Sequence, residues 1–369
     1  MRFPEPLVAL AVVALAGRLA AAEPLPAGLY AEFTTPHGAF VAELFYQKVP
    51  LTVANFTGLA EGTLAPRHGA PYYTGLKWYR VVPGFVIQSG NPLAPAEGDT
   101  GYSFPDEFSP GLRHGDTGIL SMANGGPDTN SGEFFVTLGD CTRLNYMHSV
   151  FGRTIRGLEV LPQIKPDDPF SIRIIRIGTE AQAFPADQAA FSASLNRAVK
   201  YTGEPEPGPK AHFDDAQKVL PQEVPRAKNF NYKLNNFQRA TGRRLFARVY
   251  PAFTPTEEGK APAAFTQQLA QTLGLHRNGV LATYFAAEDQ WHVWIGEDLM
   301  PEFNPEKLRA SELKKELYQA VKARAAVYTE QARIMRGPDK PLTPADLAKY
   351  SVDAMLDLLI FRFEPAPKP

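Results

Sequence analysis

Two polar side chains interrupt an apolar stretch, Trp78-Tyr79-Arg80-Val81-Val82-Pro83-Gly84-Phe85-Val86-Ile87-Gln88-Ser89-Gly90. Arg80 and Gln88 sit on core-like strands, where a long cation and a carboxamide need either a partner or a task. The plainer reading has Arg80 meeting a carboxylate and Gln88 satisfying a loop. A second stretch, 118–136, runs Gly-Ile-Leu-Ser-Met and then Ala123-Asn124-Gly125-Gly126 before Glu133-Phe134-Phe135-Val136. Its glycine- and asparagine-rich loop holds backbone amides and the Asn124 side chain close to whatever docks there. A third stretch is Leu144-Asn145-Tyr146-Met147-His148-Ser149-Val150-Phe151-Gly152. The chemistry in prospect is hydrogen-bond recognition of a docked group beside aromatic side chains.

The elements that must position these residues are mostly strands. Val81 and Val82 precede a Pro-Gly turn and Phe85, Val86 and Ile87 follow it, which predicts a hairpin. A period of two puts Phe85 and Ile87 on one face and Val86 and Gln88 on the other. Alternation over 30–34 and 39–45 predicts two more strands around Pro36-His37-Gly38. Pro50 suits a first helical turn, and Val53, Phe56, Leu59 and Ala60 recur at helical spacing up to Gly62. Asn91 to Thr117 carries Gly98, Gly101, Pro105, Pro110 and Gly111 and reads as a long ordered loop; His68, in the loop before Arg80, is expected at the surface. A short helix is expected over 157–164, stopped by Pro166, before the alternating run 172–177.

Composition narrows the function. At 369 residues two or three domains are expected. A formal net charge of −1 supplies no basic field for nucleic acid or anionic lipid. Cys141 is the single cysteine, so no intramolecular disulfide forms, and there is no zinc-like cysteine cluster and no phosphate-cradling glycine motif. Arg2, an apolar run over 7–16 and Ala20-Ala21-Ala22 make a secretory signal, expected to be cut after Ala22. Arg18 leaves that run too short to span a bilayer, and no further membrane span is expected after cleavage. The expectation is an exported protein, in the periplasm if the source is bacterial.

In this order and at these separations, the three stretches resemble the cyclophilin family of peptidyl-prolyl cis/trans isomerases, over about residues 29–178. The resemblance implies a mainly β domain: a closed eight-stranded antiparallel β-barrel, capped by two helices, packed with side chains and active on its outer surface. It implies no cofactor, and proline-containing polypeptides as substrates. An X-Pro bond interconverts slowly because amide resonance imposes a barrier of roughly 18–20 kcal/mol. A donor aimed at the amide nitrogen stabilises the twisted state selectively. By resemblance Arg80 is the catalytic guanidinium. Phe85, Phe135 and Leu144 with His148 form the proline slot, with Val86 at its rim. Gln88 orients Arg80 and binds peptide, and Asn124, with Ala123 beside it, pairs with the substrate backbone. Asn55 and Phe56 match a structural pair of the family.

There are departures. Val86 replaces a methionine, Tyr79 stands where many members have histidine, and Glu133 stands at a substrate-binding position where glutamine is usual. The Glu133 carboxylate could pair with Arg80 and hold or over-neutralise it. That leaves open an alternative, a proline-peptide binding module or chaperone with little catalysis. Arg143 replaces the tryptophan that helps animal members bind cyclosporin, which implies weak binding of that ligand.

The chain is thus expected to divide into a signal peptide (1–22), the barrel (28–178), a Pro-rich linker with one helix near 186–201 (179–229), and a C-terminal α/β or α+β domain (230–362). The last unit reads as strand, amphipathic helix, two strands and long helices, with Thr343 as an N-cap and Pro344 at N1. It resembles TPM-type domains of exported proteins, and no catalytic constellation assembles within it. Neither oligomeric state nor client proteins are readable.

Overall fold

The structure is a computed structural model that describes residues 23–64, 70–91, 100–224, 226–255 and 259–366. The expected signal peptide and His68 lie outside the described residues. Strands β1 (Gly28–Thr35) and β2 (Gly38–Leu44) form a hairpin in which Phe33 faces Phe40. Those two rings stack with centroids 4.5 Å apart, and the alternating Leu29, Ala31, Phe33 and Phe40, Ala42, Leu44 are buried. Helix α1 (Pro50–Glu61) follows, with Pro50 in its first turn and Gly62 ending it at φ 74°. Val49 gives α1 no side-chain cap; Glu107, from a distant loop, accepts from the backbone N–H groups of Leu51 and Thr52 instead. Phe56 is fully buried against Phe134 and Phe151, so α1 plugs the barrel; such a ring contributes about 1.5–3 kcal/mol. Asn55 ties the same helix to the wall by donating to Ser131 O and accepting from the Tyr102 hydroxyl.

Six strands complete the first sheet: β3 (Arg80–Val82), β4 (Val86–Ser89), β5 (Ile119–Met122), β6 (Phe134–Thr137), β7 (Val150–Arg156) and β8 (Ser171–Ile177). All pairs are antiparallel, in the order β3-β4-β6-β5-β7-β2-β1-β8. The expected closed barrel needs one correction. β8 and β3 do not ladder together; the chain just before each strand joins them, through Trp78 N–H to Asp168 O, Asp167 N–H to Trp78 O, and a bridge of Lys77 with Pro169. Pro169 cannot donate at that seam, which keeps the ladder from running on. The second cap, Leu158–Gln163, is a 3₁₀ helix carrying Val160 and Leu161 into the core.

The segment 179–229 is more than a linker. It holds helices α2 (Thr179–Ala183) and α3 (Gln188–Arg197) and strand β9 (Phe213–Asp214). Phe191 of α3 is buried against Tyr102 and Phe104 in the barrel's core, while Phe213 and Leu220 enter the C-terminal core. Apolar residues spaced between prolines thus anchor the segment to both units.

The C-terminal unit contains α4 (Arg226–Thr241), β10 (Arg244–Tyr250), α5 (Pro262–Thr272), β11 (Gly279–Phe285), β12 (Gln290–Ile295), α6 (Met300–Phe303), α7 (Ala310–Arg336) and α8 (Pro344–Phe363). Its mixed sheet runs β12-β11-β10-β9, with β10 parallel to β9 and β11. Thr343 caps α8 by accepting from Asp346 N–H, and Pro344 opens the helix. This unit docks on the barrel through buried polar contacts. Lys233 of α4 pairs with Asp357 of α8 and donates to Arg143 O at 3.2 Å, and Asn236 donates to Tyr146 O at 2.9 Å. The Tyr146 hydroxyl donates to Glu364, which also pairs with Arg113.

Replacing Phe191 by alanine is expected to cost about 3–5 kcal/mol, because it empties a ring site between α3 and the barrel. Urea unfolding followed by circular dichroism checks this; a change below about 1 kcal/mol would show α3 to be loosely attached.

Candidate active site

The sheet register assembles the site. Arg80 lies directly opposite Gln88, Gln88 opposite Phe135, and Phe135 opposite Ser121, in one row across β3, β4, β6 and β5. Residues in such a row share a face. Their neighbours Val81, Ile87, Phe134 and Met122 point the other way, into the barrel's core. The row therefore lies on the outer face, where Val86, Ala123, Phe135 and Cys141 form a separate buried cluster edged by Phe85 and Leu144.

One expectation is corrected by the turn. Phe85 does not share a side with Ile87; it joins the outer cluster. Val82 pairs with Val86, so Pro83, Gly84 and Phe85 form the loop and the period of two starts only at Val86. Gly84 adopts φ 68°, and Phe85 is pinned by its N–H to Val82 O and its carbonyl to Leu138 N–H.

Arg80 is exposed, and its Nη1 donates to Gln88 Oε1 at 2.9 Å. Gln88 Nε2 donates to the Tyr79 hydroxyl at 2.6 Å, and that hydroxyl donates to Glu133 Oε1 at 2.9 Å. Glu133 thus meets Tyr79, not Arg80, which answers the expectation of a pair between them. Burial, then the Glu133 carboxylate, pushes the Tyr79 hydroxyl up, so it stays a donor. The Arg80 guanidinium carbon lies 5.7 Å from the centre of the Phe85 ring.

Behind the slot, His114 stacks on Phe135 at 5.8 Å and is clamped between Asn145 Oδ1 and Ser121 Oγ, each at 2.9 Å. Burial pushes the His114 ring down to about 3, so it is a neutral brace. His148 meets Phe135 edge-on at 5.6 Å, and its Nδ1 donates to Met122 O at 3.0 Å. Burial lowers His148 to about 4. Cys141 closes the slot with its thiol toward Phe85 O, pushed up to about 12 by burial. The Asn124 carboxamide donates to Met147 O at 2.9 Å and toward Asp106 at 3.3 Å. Its side chain therefore tethers the loop, and the Ala123 N–H donates to Glu133 O at 3.0 Å. His114, Cys141 and the link from Tyr79 to Glu133 were absent from the reading of the sequence as site elements; nothing in their spacing marks them.

An antiparallel barrel with a tethered guanidinium beside an apolar, ring-sized slot on its outer face defines a class of peptide-recognising barrel. The family model described as "Cyclophilin type peptidyl-prolyl cis-trans isomerase/CLD" matches residues 30–178. Peptidyl-prolyl cis-trans isomerase A of Mycobacterium tuberculosis is 38% identical over 161 residues, covering 39% of this chain and 88% of that protein. Peptidyl-prolyl cis-trans isomerase ppi1 of Schizosaccharomyces pombe is 43% identical over 133 residues, covering 35% of this chain and 80% of that one. A crystal structure of a cyclophilin type peptidyl-prolyl cis-trans isomerase of Cryptosporidium parvum aligns with 41% of this chain and 98% of its own, at 30% identity and a TM-score of 0.36. The chain belongs to the cyclophilin-type peptidyl-prolyl cis/trans isomerase family. It is an isomerase acting on proline-containing peptides.

With His148 near 4, its ring is neutral throughout the range in which the enzyme works, and gains a proton only as pH falls through about 4. Isomerase kcat/KM is expected to be flat from pH 6 to 9, and the His148 ring proton signals in NMR to move only toward pH 4. An inflection near pH 6.5 in either would contradict this.

Proposed function

We propose that this isomerase acts on X-Pro bonds of exported polypeptides and that Arg80 stabilises the twisted amide. The observation that carries the reading is the Arg80–Gln88 pair, which holds a guanidinium at the edge of the slot formed by Phe85, Val86, Ala123, Phe135, Cys141 and Leu144. A proline ring in that slot puts its amide nitrogen within reach of the guanidinium. As the amide twists, the nitrogen loses conjugation and becomes a better acceptor, so an Arg80 N–H bonds it more strongly there than in either planar state. A donor held in place before the twist needs little reorganisation. The neutral rings of His148 and His114 fit a mechanism in which no proton changes hands.

The reading as a binding module with little catalysis rested on Glu133 neutralising Arg80. Glu133 accepts from Tyr79, which leaves the guanidinium free of a carboxylate among the described residues. The contacts of Lys233 and Asn236 with the backbone of Arg143 and Tyr146 suit a bracing role for the C-terminal unit behind the Leu144 wall. The export reading rests on the basic, apolar, Ala-rich start of the chain.

Arg80→Ala is expected to lower kcat/KM on a short X-Pro peptide by roughly 10²-fold or more, with little change in fold. Glu133→Gln is expected to stay within about threefold, because the glutamine oxygen still accepts from Tyr79. A protease-coupled assay checks both; an active Arg80→Ala, or an inactive Glu133→Gln, would sink the assignment. Expressed with its first 22 residues, the chain is expected in the exported fraction with Glu23 at its new N-terminus, read by N-terminal sequencing; an intact Met1 start in the cytosol would refute export.

A further inference from the structure

Arg143 lies on the wall of the slot, beside Leu144, and is 9% exposed. Its guanidinium carbon sits 4.5 Å from the centre of the Phe85 ring. Its Nη2 reaches the Met335 thioether of α7 at 3.8 Å, a weak acceptor. Among the described residues no carboxylate pairs with it. The acids around it are engaged elsewhere: Asp140 with Thr142 and Arg324, and Asp353 with Lys349. A largely buried arginine without an ion-pair partner is costly, and stacking on one ring offsets only part of that cost. Its planar fork of N–H donors matches a carboxylate.

The surroundings add to the same sign. Arg226, at the start of α4, stands with Arg143 near enough to Tyr350 and Lys349 for both cations to bear on their ionisation. Lys349 is already paired with Asp353; of these three cations Arg143 and Arg226 form no ion pair among the described residues. The C-terminal unit thus adds positive charge near Arg143, and it fixes the Arg143 backbone through Lys233.

We propose that Arg143 is a specificity-determining residue that binds the carboxylate of an aspartate or glutamate flanking the substrate proline. Arg80 and Arg143 lie 5.7 and 4.5 Å from the same Phe85 ring centre. Extended chain advances about 3.3–3.6 Å per residue, so the acidic residue stands within about three positions of the proline. This rests on the proposed placing of the proline in the Phe85–Phe135 slot, and adds a sequence preference to it.

The test is a ratio. Peptides carrying glutamate or glutamine at each position flanking a proline are compared for kcat/KM in the full mature chain, and for Kd by calorimetry. At one position glutamate is expected to be favoured about tenfold, the scale of a charge-assisted hydrogen bond. The ratio is expected to fall toward one in Arg143→Gln, to survive in part in Arg143→Lys, and to shrink with added salt. A ratio of one at every position in the unsubstituted chain overturns the proposal, with no variant needed. So does a tenfold ratio that persists in a folded Arg143→Gln, which would move the preference to another cation. An unsubstituted chain without isomerase activity would count against the Arg80 mechanism alone, since the Kd ratio still decides on Arg143.

Discussion

Phe134 and Phe135 are consecutive residues of one strand, and the enzyme depends on their pointing opposite ways. Phe134 packs on Phe56, Tyr73 and Trp78 inside the barrel; Phe135 packs outside with Val86, Ala123 and Cys141. The pleat permits nothing else once β6 is hydrogen-bonded on both sides. A slip of one residue would exchange the two rings and put Gln88 and Arg80 out of line with the slot. The interior aromatic packing therefore locks the register, and the register aligns the row of Arg80, Gln88, Phe135 and Ser121. Stability and site geometry are here one constraint.

A second layer holds the slot from behind. The stretch carrying Cys141, Arg143 and Leu144 leaves the barrel as a short 3₁₀ turn, Thr142–Leu144, with Tyr146 at φ 59° just after it. A non-glycine residue in that region needs its surroundings to hold it. Asn236 accepts that task at Tyr146 O, Glu364 at its hydroxyl, and Lys233 at Arg143 O. Lys233 and its partner Asp357 are almost wholly buried, and the Tyr328 hydroxyl donates to the other Asp357 oxygen at 2.5 Å. Burial raises the Asp357 carboxyl, while Lys233 and Tyr328 pull it back. Such a pair adds little net stability, yet removing one member strands a buried charge. The pair ties α4 to α8 within the C-terminal unit and aims the Lys233 ammonium at Arg143 O.

Much of this was legible in the sequence because the decisive residues are contiguous. Alternation located the strands, Pro50 the start of α1, and the three long stretches the family and the barrel. The C-terminal unit was readable as mixed α and β, with Thr343 and Pro344 marking α8. What was not legible depends on contacts between distant segments. Whether Glu133 meets Arg80 or Tyr79 is decided by how β6 lies against the chain before β3. Phe85 was assigned to the wrong face because the three-residue loop breaks the period of two. The stretch 179–229 reads as a linker because prolines dominate it, while Phe191 and Phe213 bury themselves in two different cores. His114 is silent in sequence because a brace needs only to be buried and doubly hydrogen-bonded, and no spacing announces that.

The site's electrostatics suit a reaction in which no bond is made or broken. Every group whose ionisation is shifted at the slot is held in its neutral form: His148 and His114 are lowered, Tyr79 and Cys141 are raised, and burial is the main cause in each. A site built for proton transfer would instead hold one such group near the working pH. The site also carries the guanidinium groups of Arg80 and Arg143, while the Glu133 carboxylate is taken up by Tyr79. One arginine is tethered by a neutral amide and faces solvent; the other is stacked on Phe85 and backed by the C-terminal unit. The first presents its charge to solvent at the edge of the slot. Among the described residues the second pairs with no carboxylate, and the proposed preference for an acidic peptide residue rests on that.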